Sequence, residues 1–257
     1  MGRYDRSVST TTPAVAIIPA RLGSTRFPEK VLANRTGWAL IRHVWESARL
    51  ASCLRDCVVA TDDARVVEAC AGFGARAVMT SAEHPNGTSR LSEAARALGL
   101  DDDEVVVNVQ GDEPELDPAL IDAAVTALVS SGAEIGTVAS PLGPGQSVAD
   151  PNIVKAVLRA DSTALYFSRA PVPFDRDAGA GHGGALRHVG LYAYRAGFLH
   201  RYAALAPTPL ETLEKLEQLR ALEHSHRIAV AVMASSHEGI DTPEQYERFV
   251  ARWAARR

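Results

Sequence analysis

Short apolar runs alternate with longer amphipathic stretches through the first half of the chain, and this alternation limits the fold more than any other feature. "AVAIIP", starting at Ala14, reads as a buried strand. "WALIRHVWESARLA" follows, with Leu40, Ile41, Val44, Trp45 and Ala48 on one helical face. "CVVAT", "ARAVMT", "EVVVNVQ" and "EIGTVAS" then read as strands, and "DARVVEACAGFG", "TSRLSEAARALG" and "DPALIDAAVTALVSSG" as the helices between them. The pattern predicts an α/β fold with a mostly parallel sheet and helices on both faces. Near residue 141 the rhythm changes. "PLGPGQSVADP" is turn-rich, and "IVKAVLR", "ALYFSRA" and "RHVGLYAY" follow with no helix between the first two, which predicts antiparallel pairing. "DRDAGAGHGGA" is a glycine-rich loop. "ETLEKLEQLRALE", "RIAVAVM" and "PEQYERFVARWAARR" return to the α/β pattern. The expectation is a single domain over 13–257, with a smaller antiparallel β insert over roughly 141–194 and a disordered polar arm over 1–12.

Composition narrows the function. With 257 residues and 46% hydrophobic content, the chain can build a core without a metal or disulfide. A net charge of −4 gives no footprint for nucleic acid. Cys53, Cys57 and Cys70 are odd in number and lack Cys-x-x-Cys spacing, which fits reduced thiols in the cytoplasm. No apolar run approaches the ~20 residues of a membrane span, and residues 1–12 lack the apolar segment of a signal peptide.

Familiar motifs are excluded on context. There is no G-x-x-x-x-G-K-[ST] loop and no G-x-S-x-G elbow. "GFGARA" (Gly72–Ala77) has the spacing of a dinucleotide fingerprint, but a helix precedes it and a strand follows, the reverse of what that motif needs. Its glycines read instead as a helix C-terminus. His224 and His226 lack carboxylates at metal spacing and read as surface residues.

What remains is the end of the first strand, "PARLGSTRFPEK". Pro19, Ala20, Arg21, Leu22, Gly23 and Ser24 lead to Arg26 and Lys30. The carboxyl end of a strand in an open α/β sheet borders the ligand crevice. Gly23 permits close backbone approach, Ser24 can donate to oxygen, and three cations within ten residues suit a polyphosphate. Two acidic strand ends complement them. "NVQGDEP" places Asp112 after a buried strand, and "GIDTPEQY" places Asp241 before a helix. Thr242, Pro243 and Gln245 can cap that helix by themselves, which frees Asp241. A carboxylate pair facing a polyphosphate points to Mg²⁺.

These stretches, with "VATDD", "HPNGTSR", "DPNIVKAVL", "ALYFSRAPVPFDR", "RHVGLYAYR" and "LETLEKLEQLRALE", resemble the 3-deoxy-manno-octulosonate (Kdo) cytidylyltransferases from Ala14 to about Phe249. The resemblance implies a Rossmann-like nucleotidyltransferase fold, a homodimer, and transfer of CMP from CTP to an anionic 3-deoxy-2-ulosonic acid with Mg²⁺. By motif match, Arg21 and Lys30 would hold the phosphates, with Arg26 nearby. Asp112 and Asp241 would hold the metal, Arg21, Lys30 and Asp112 forming the catalytic group. Asn86, Gly87 and Thr88 would approach the cytosine. Arg90, Gln110, Arg169, His188, Tyr192, Glu217 and Gln218 would receive the acceptor.

The sequence departs from the family pattern at Ser89, where an acid is usual, and at Glu29, where glycine is usual. "TGWALIRHV" and the short "DRDAGAGHGG" loop also depart. Glu29 is expected to bring a carboxylate into the cationic loop, and the departures bear on acceptor identity. The competing readings are a cytidylyltransferase for another ulosonic acid, a sialic-acid-like sugar or a phosphonate, and a non-catalytic nucleotide-binding protein.

Overall fold

The structure is a computed structural model; it describes residues 12–23, 26–176, 184–236 and 238–256. The arm expected over 1–12, Ser24 and most of the glycine-rich loop fall outside the described residues, apart from the arm's last position.

Strand β1 (Ala14–Ala20) pairs in parallel with β2 (Leu54–Thr61) on one side and β4 (Val105–Asn108) on the other. β3 (Arg76–Met79) extends the sheet beyond β2. β5 (Ile135–Pro141) and β9 (Ile228–Val232) pair in parallel at the far side. Between β4 and β5 lies β8 (Leu186–Arg195), antiparallel to both, so the order is β3-β2-β1-β4-β8-β5-β9. β6 (Lys155–Leu158) and β7 (Ala164–Ser168) form an antiparallel pair attached to the start of β8. Of the β-rich stretch over 141–194, only this pair stands beside the main sheet. Its last strand runs through the middle.

Side-chain alternation along β1 builds two cores. Ala14, Ala16 and Ile18 face α1 (Leu40–Ala48), α2 (Ala64–Ala71) and α4 (Pro118–Ser131). Val15 and Ile17 face α3 (Gly87–Ala97), α5 (Ala196–Ala204) and α7 (Gln218–Glu223). With both faces covered, the strands are near-continuous apolar runs, as parallel sheets require. Each buried Ile, Val or Leu side chain contributes about 1.5–3 kcal/mol. α8 (Pro243–Ala255) closes a third cluster, where Tyr246 and Phe249 pack with Leu40 and Ile240. The three cysteines are free and buried. Burial pushes the Cys53 and Cys57 thiols up to about 12, which keeps them protonated and unreactive.

Two local features differ from the sequence pattern. "ETLEKLEQLRALE" is not one helix. α6 (Pro209–Glu214) stops where Lys215 turns left-handed at φ 55°, and α7 starts afresh. Glu29 is also left-handed, at φ 55°, a conformation that glycine adopts without strain. Its carboxylate does not enter the cationic loop; it turns outward to Arg65 Nη1 at 2.7 Å. A left-handed non-glycine residue costs about 1–2 kcal/mol, and a solvent-exposed ion pair offsets only part of that. Glu29→Gly is therefore expected to stabilise the chain by up to about 1 kcal/mol. Urea unfolding reads this, and a clear loss of stability would show that the Arg65 pair outweighs the backbone strain.

Candidate active site

The carboxyl ends of β1 and β4 lie side by side and open into a cleft of about 400 Å³. Pro19, Ala20, Arg21 and Gly23 form one wall, and Gln110, Gly111 and Asp112 the floor. Gly111 has a steric reason: a Cβ there would stand 2.7 Å from the Pro19 carbonyl oxygen. The two strand ends can meet only because that position is bare. The N-terminus of α3 brings Asn86 and Gly87 to the opposite rim, with His84 and Arg90 beside them. Asn86 caps α3, its side chain accepting from the Ser89 N–H at 2.9 Å.

The acidic side is assembled by α8. Thr242 and Gln245 form the reciprocal capping box read from the sequence, and Gln245 Oε1 accepts from the Asp241 and Thr242 N–H groups. With the cap filled, the Asp241 carboxylate reaches into the cleft. The Ile240 N–H donates to the Asp112 carbonyl at 2.8 Å and ties the two acidic segments together. Lys30, in a 3-10 turn over Lys30–Leu32, then bridges them. Its ammonium donates to Asp112 Oδ2 at 2.6 Å, to the Ile240 carbonyl at 2.9 Å and to Asp241 Oδ1 at 3.2 Å. Arg26 Nη2 holds the other oxygen of Asp241 at 3.1 Å. Burial raises the Asp112 carboxyl above its ordinary range despite the adjacent Lys30 charge, and Glu113 and Asp241 push the same way.

Two carboxylates thus converge on one cation. That cation is the Lys30 ammonium; Mg²⁺ takes one or two protein carboxylates and completes its shell with water and substrate phosphates, a demand that an open carboxylate pair can fit. Among the described residues no cluster of three or more His, Cys, Asp or Glu forms a closed metal cage.

Beside Gln110 stands a second polar group, created by an irregularity in β8. Thr137 pairs with Tyr192 but Val138 pairs with Val189, so Gly190 and Leu191 bulge out. Gln110 Nε2 donates to the Gly190 carbonyl at 3.2 Å, and Thr137 Oγ1 to the Leu191 carbonyl at 2.6 Å. The bulge sets the rings of His188 and Tyr192 5.3 Å apart. Burial and the adjacent Arg187 push His188 down to about 3, so its imidazole is neutral, with Nε2 3.0 Å from Thr137 Oγ1. Glu217, at the start of α7, has its carboxyl raised by burial.

Most of the residues expected at the site therefore gather at or beside one cleft. Seven of those described do not line it: His188, Tyr192 and Glu217 belong to the group next to Gln110, and four others lie elsewhere. Leu22 packs against the core. Thr88 is buried, close to Glu217 and Tyr194. Gln218 is buried within α7. Arg169 is bound elsewhere: Nε donates to the Glu214 carbonyl at 2.7 Å and Nη1 to the Pro151 carbonyl at 2.9 Å, bracing the end of α6. Ser89 faces His84 Nδ1 and the Asn86 carbonyl, each at 3.1 Å, so it belongs to the α3 rim and not to the His188–Tyr192 group. Sequence reasoning missed His84, although it opens the "HPNGTSR" stretch; its Nε2 is held by Glu93. A second concavity of about 450 Å³ lies along α8, but its Arg252 and Arg256 are paired with Glu115.

A cationic loop, a bridged aspartate pair and an open crevice at parallel strand ends define a nucleotidyltransferase. The cytidylyltransferase family pattern matches residues 15–228. The 3-deoxy-manno-octulosonate cytidylyltransferase of Acidovorax ebreus (strain TPSY) is 48% identical, over 94% of this chain and 97% of that protein. The one from Syntrophobacter fumaroxidans is 50% identical, over 92% and 95%. A solved CMP:2-keto-3-deoxy-manno-octonic acid synthetase complexed with CTP superposes with a TM-score of 0.88 at 36% identity, covering 95% of this chain and 99% of that one. The chain belongs to the 3-deoxy-manno-octulosonate cytidylyltransferase family.

Proposed function

We propose that the chain is a Mg²⁺-dependent cytidylyltransferase that joins 3-deoxy-manno-octulosonate to CMP. The anomeric hydroxyl oxygen of the sugar acid bonds to the α-phosphorus of CTP and loses its proton. The bond from that phosphorus to the bridging oxygen breaks, and pyrophosphate leaves. The observation that carries this reading is the Lys30 ammonium held between Asp112 and Asp241 in the cleft that Arg21 and Arg26 enter.

Reactions of this kind depend mainly on alignment and charge neutralisation. Arg21 has no ion pair among the described residues and is exposed, so its guanidinium is available to a triphosphate. Asn86 and Gly87 present the start of α3 to the base. Asp112 and Asp241 would hold Mg²⁺, which when bound neutralises phosphate charge. Gln110, Arg90, His188 and Tyr192 offer hydrogen-bonding groups to a polyhydroxy acid on the far side of the floor. The relatives' named acceptor favours Kdo. Ser89 makes no contact with the His188–Tyr192 group that would redirect the choice.

The purified chain is expected to release pyrophosphate from CTP with Kdo and Mg²⁺, and to stop when EDTA is added. N-acetylneuraminate and other 2-ulosonic acids should turn over far more slowly. A clear preference for one of those acids would replace the acceptor, and no CTP-dependent pyrophosphate release with any of them would remove the enzymatic reading.

A further inference from the structure

The "VATDD" stretch at the end of β2 lies outside the cleft, yet it fixes a residue that lines it. Thr61 ends the strand, and Asp62 and Asp63 follow. Asp63 caps α2, accepting from the Arg65 N–H at 2.8 Å. The helix therefore does not need Asp62. Asp62 Oδ2 instead accepts from Arg90 Nη2 at 2.9 Å. On the neighbouring nitrogen, Arg90 Nη1 donates to Thr80 Oγ1 at 2.5 Å. The Thr80 hydroxyl is itself oriented, since it donates to the Thr61 carbonyl at 3.1 Å and its lone pairs must face Arg90. Arg90 is only 4% exposed, but it borders the cleft.

We propose that Asp62, with Thr80, is a positioning residue that sets the Arg90 guanidinium to receive the carboxylate of the sugar acid. The inference rests on the acceptor reading above. Its physical basis is a division among the cations. Arg21 and Arg26 are exposed at the mouth, where a multiply charged triphosphate is attracted. Arg169 is committed to the carbonyls of α6 and the 151 turn. Arg90 is buried, and its charge is matched by an adjacent carboxylate. A guanidinium neutralised in this way exerts little pull on a polyphosphate but keeps its directional N–H groups. Two of its five N–H groups are taken by Asp62 and Thr80, which fixes the plane in which the rest can donate. That suits a singly charged, planar carboxylate. Asp62 touches no substrate in this scheme; it acts by holding Arg90.

The test is steady-state kinetics of Asp62→Asn and Thr80→Val beside the wild type, varying Kdo and CTP separately, with melting temperatures recorded. Asp62→Asn is expected to raise the Michaelis constant for Kdo about tenfold and to leave that for CTP within about twofold. Thr80→Val should shift the same constant by a smaller factor. Asp62→Asn should lower the melting temperature, because the buried Arg90 charge loses its carboxylate, so the split between the two Michaelis constants is what separates positioning from a general loss of stability. A wild type that turns over Kdo while both variants match it overturns the positioning role. A rise in the CTP constant equal to or larger than that for Kdo places Arg90 on the nucleotide and overturns it as well. A wild type with no Kdo turnover fails the acceptor reading itself, and the inference with it.

Discussion

Asp112→Asn is expected to cut turnover by about 10²–10³-fold while the chain still folds. The buried carboxylate is costly to the resting protein. Desolvation, Glu113 and Asp241 all raise its proton affinity, and Lys30 offsets them only in part. An amide of the same shape removes that burden and can still accept from the Lys30 ammonium. The melting temperature of the ligand-free variant should therefore equal or exceed that of the wild type. The cost falls on the reaction: if the pair holds Mg²⁺ as proposed, one of its two carboxylates is gone and Asp241 alone remains. Mg²⁺ with CTP should then raise the melting temperature of the wild type more than that of the variant, because at a given concentration the tighter ligand stabilises the folded state more. Pyrophosphate release together with thermal melts measures both. Near-normal turnover at saturating Mg²⁺ would reduce Asp112 to a turn residue.

That a sequence can point to Asp112 at all follows from how local the relevant signals are. "EVVVNVQGDEP" shows a buried strand, its end and the acid beyond it within eleven residues, and the structure places β4 there. Asp241 was legible for the same reason, since Thr242, Pro243 and Gln245 complete the cap within four residues. What could not be read depends on distant partners. β8 looks like any amphipathic strand, and its place between β4 and β5 is fixed by pairings some 50 to 90 residues apart, such as Thr137 with Tyr192 and Val106 with Tyr194. α5 was overlooked because "AGFLHRYAA" follows the strand with no glycine or proline between them. The break at Lys215 is hidden because Leu210, Leu213, Leu216 and Leu219 keep a spacing of three through it, although Leu213 is 80% exposed and Leu216 and Leu219 are buried. Arg169 was assigned to the acceptor on its motif. The carbonyls of Pro151 and Glu214 that hold it lie on separate segments, which no local pattern brings together.

Lys30→Ala should damage both stability and turnover, and the two losses should respond differently to conditions. The ammonium has its three donors satisfied, two of them by carboxylates, and is itself mostly buried. Removing it leaves Asp112 desolvated beside Asp241 with no cation between them. Breaking a fully buried pair costs about 3–5 kcal/mol; with these side chains partly exposed, about 2 is expected. The sign of the pH dependence follows from Asp112. Its proton affinity in the folded state is already above that of an unfolded aspartate, and without Lys30 it rises further. The charged form then opposes folding above the folded-state pKa, and the penalty disappears as the pH falls through it and the carboxyl takes up a proton. The deficit relative to the wild type should be largest near neutrality and shrink on acidification. Added Mg²⁺ should also narrow it, because a cation can enter the aspartate pair without displacing an ammonium. Turnover should stay at least about 10²-fold down under all of these conditions, since neither protons nor Mg²⁺ would supply the phosphate contact proposed for Lys30. Melting curves from neutral to acidic pH, with and without Mg²⁺, read the first effect, and pyrophosphate release the second. A stability deficit indifferent to both pH and Mg²⁺ would mean that Lys30 contributes by packing its stem and not by balancing the two aspartates.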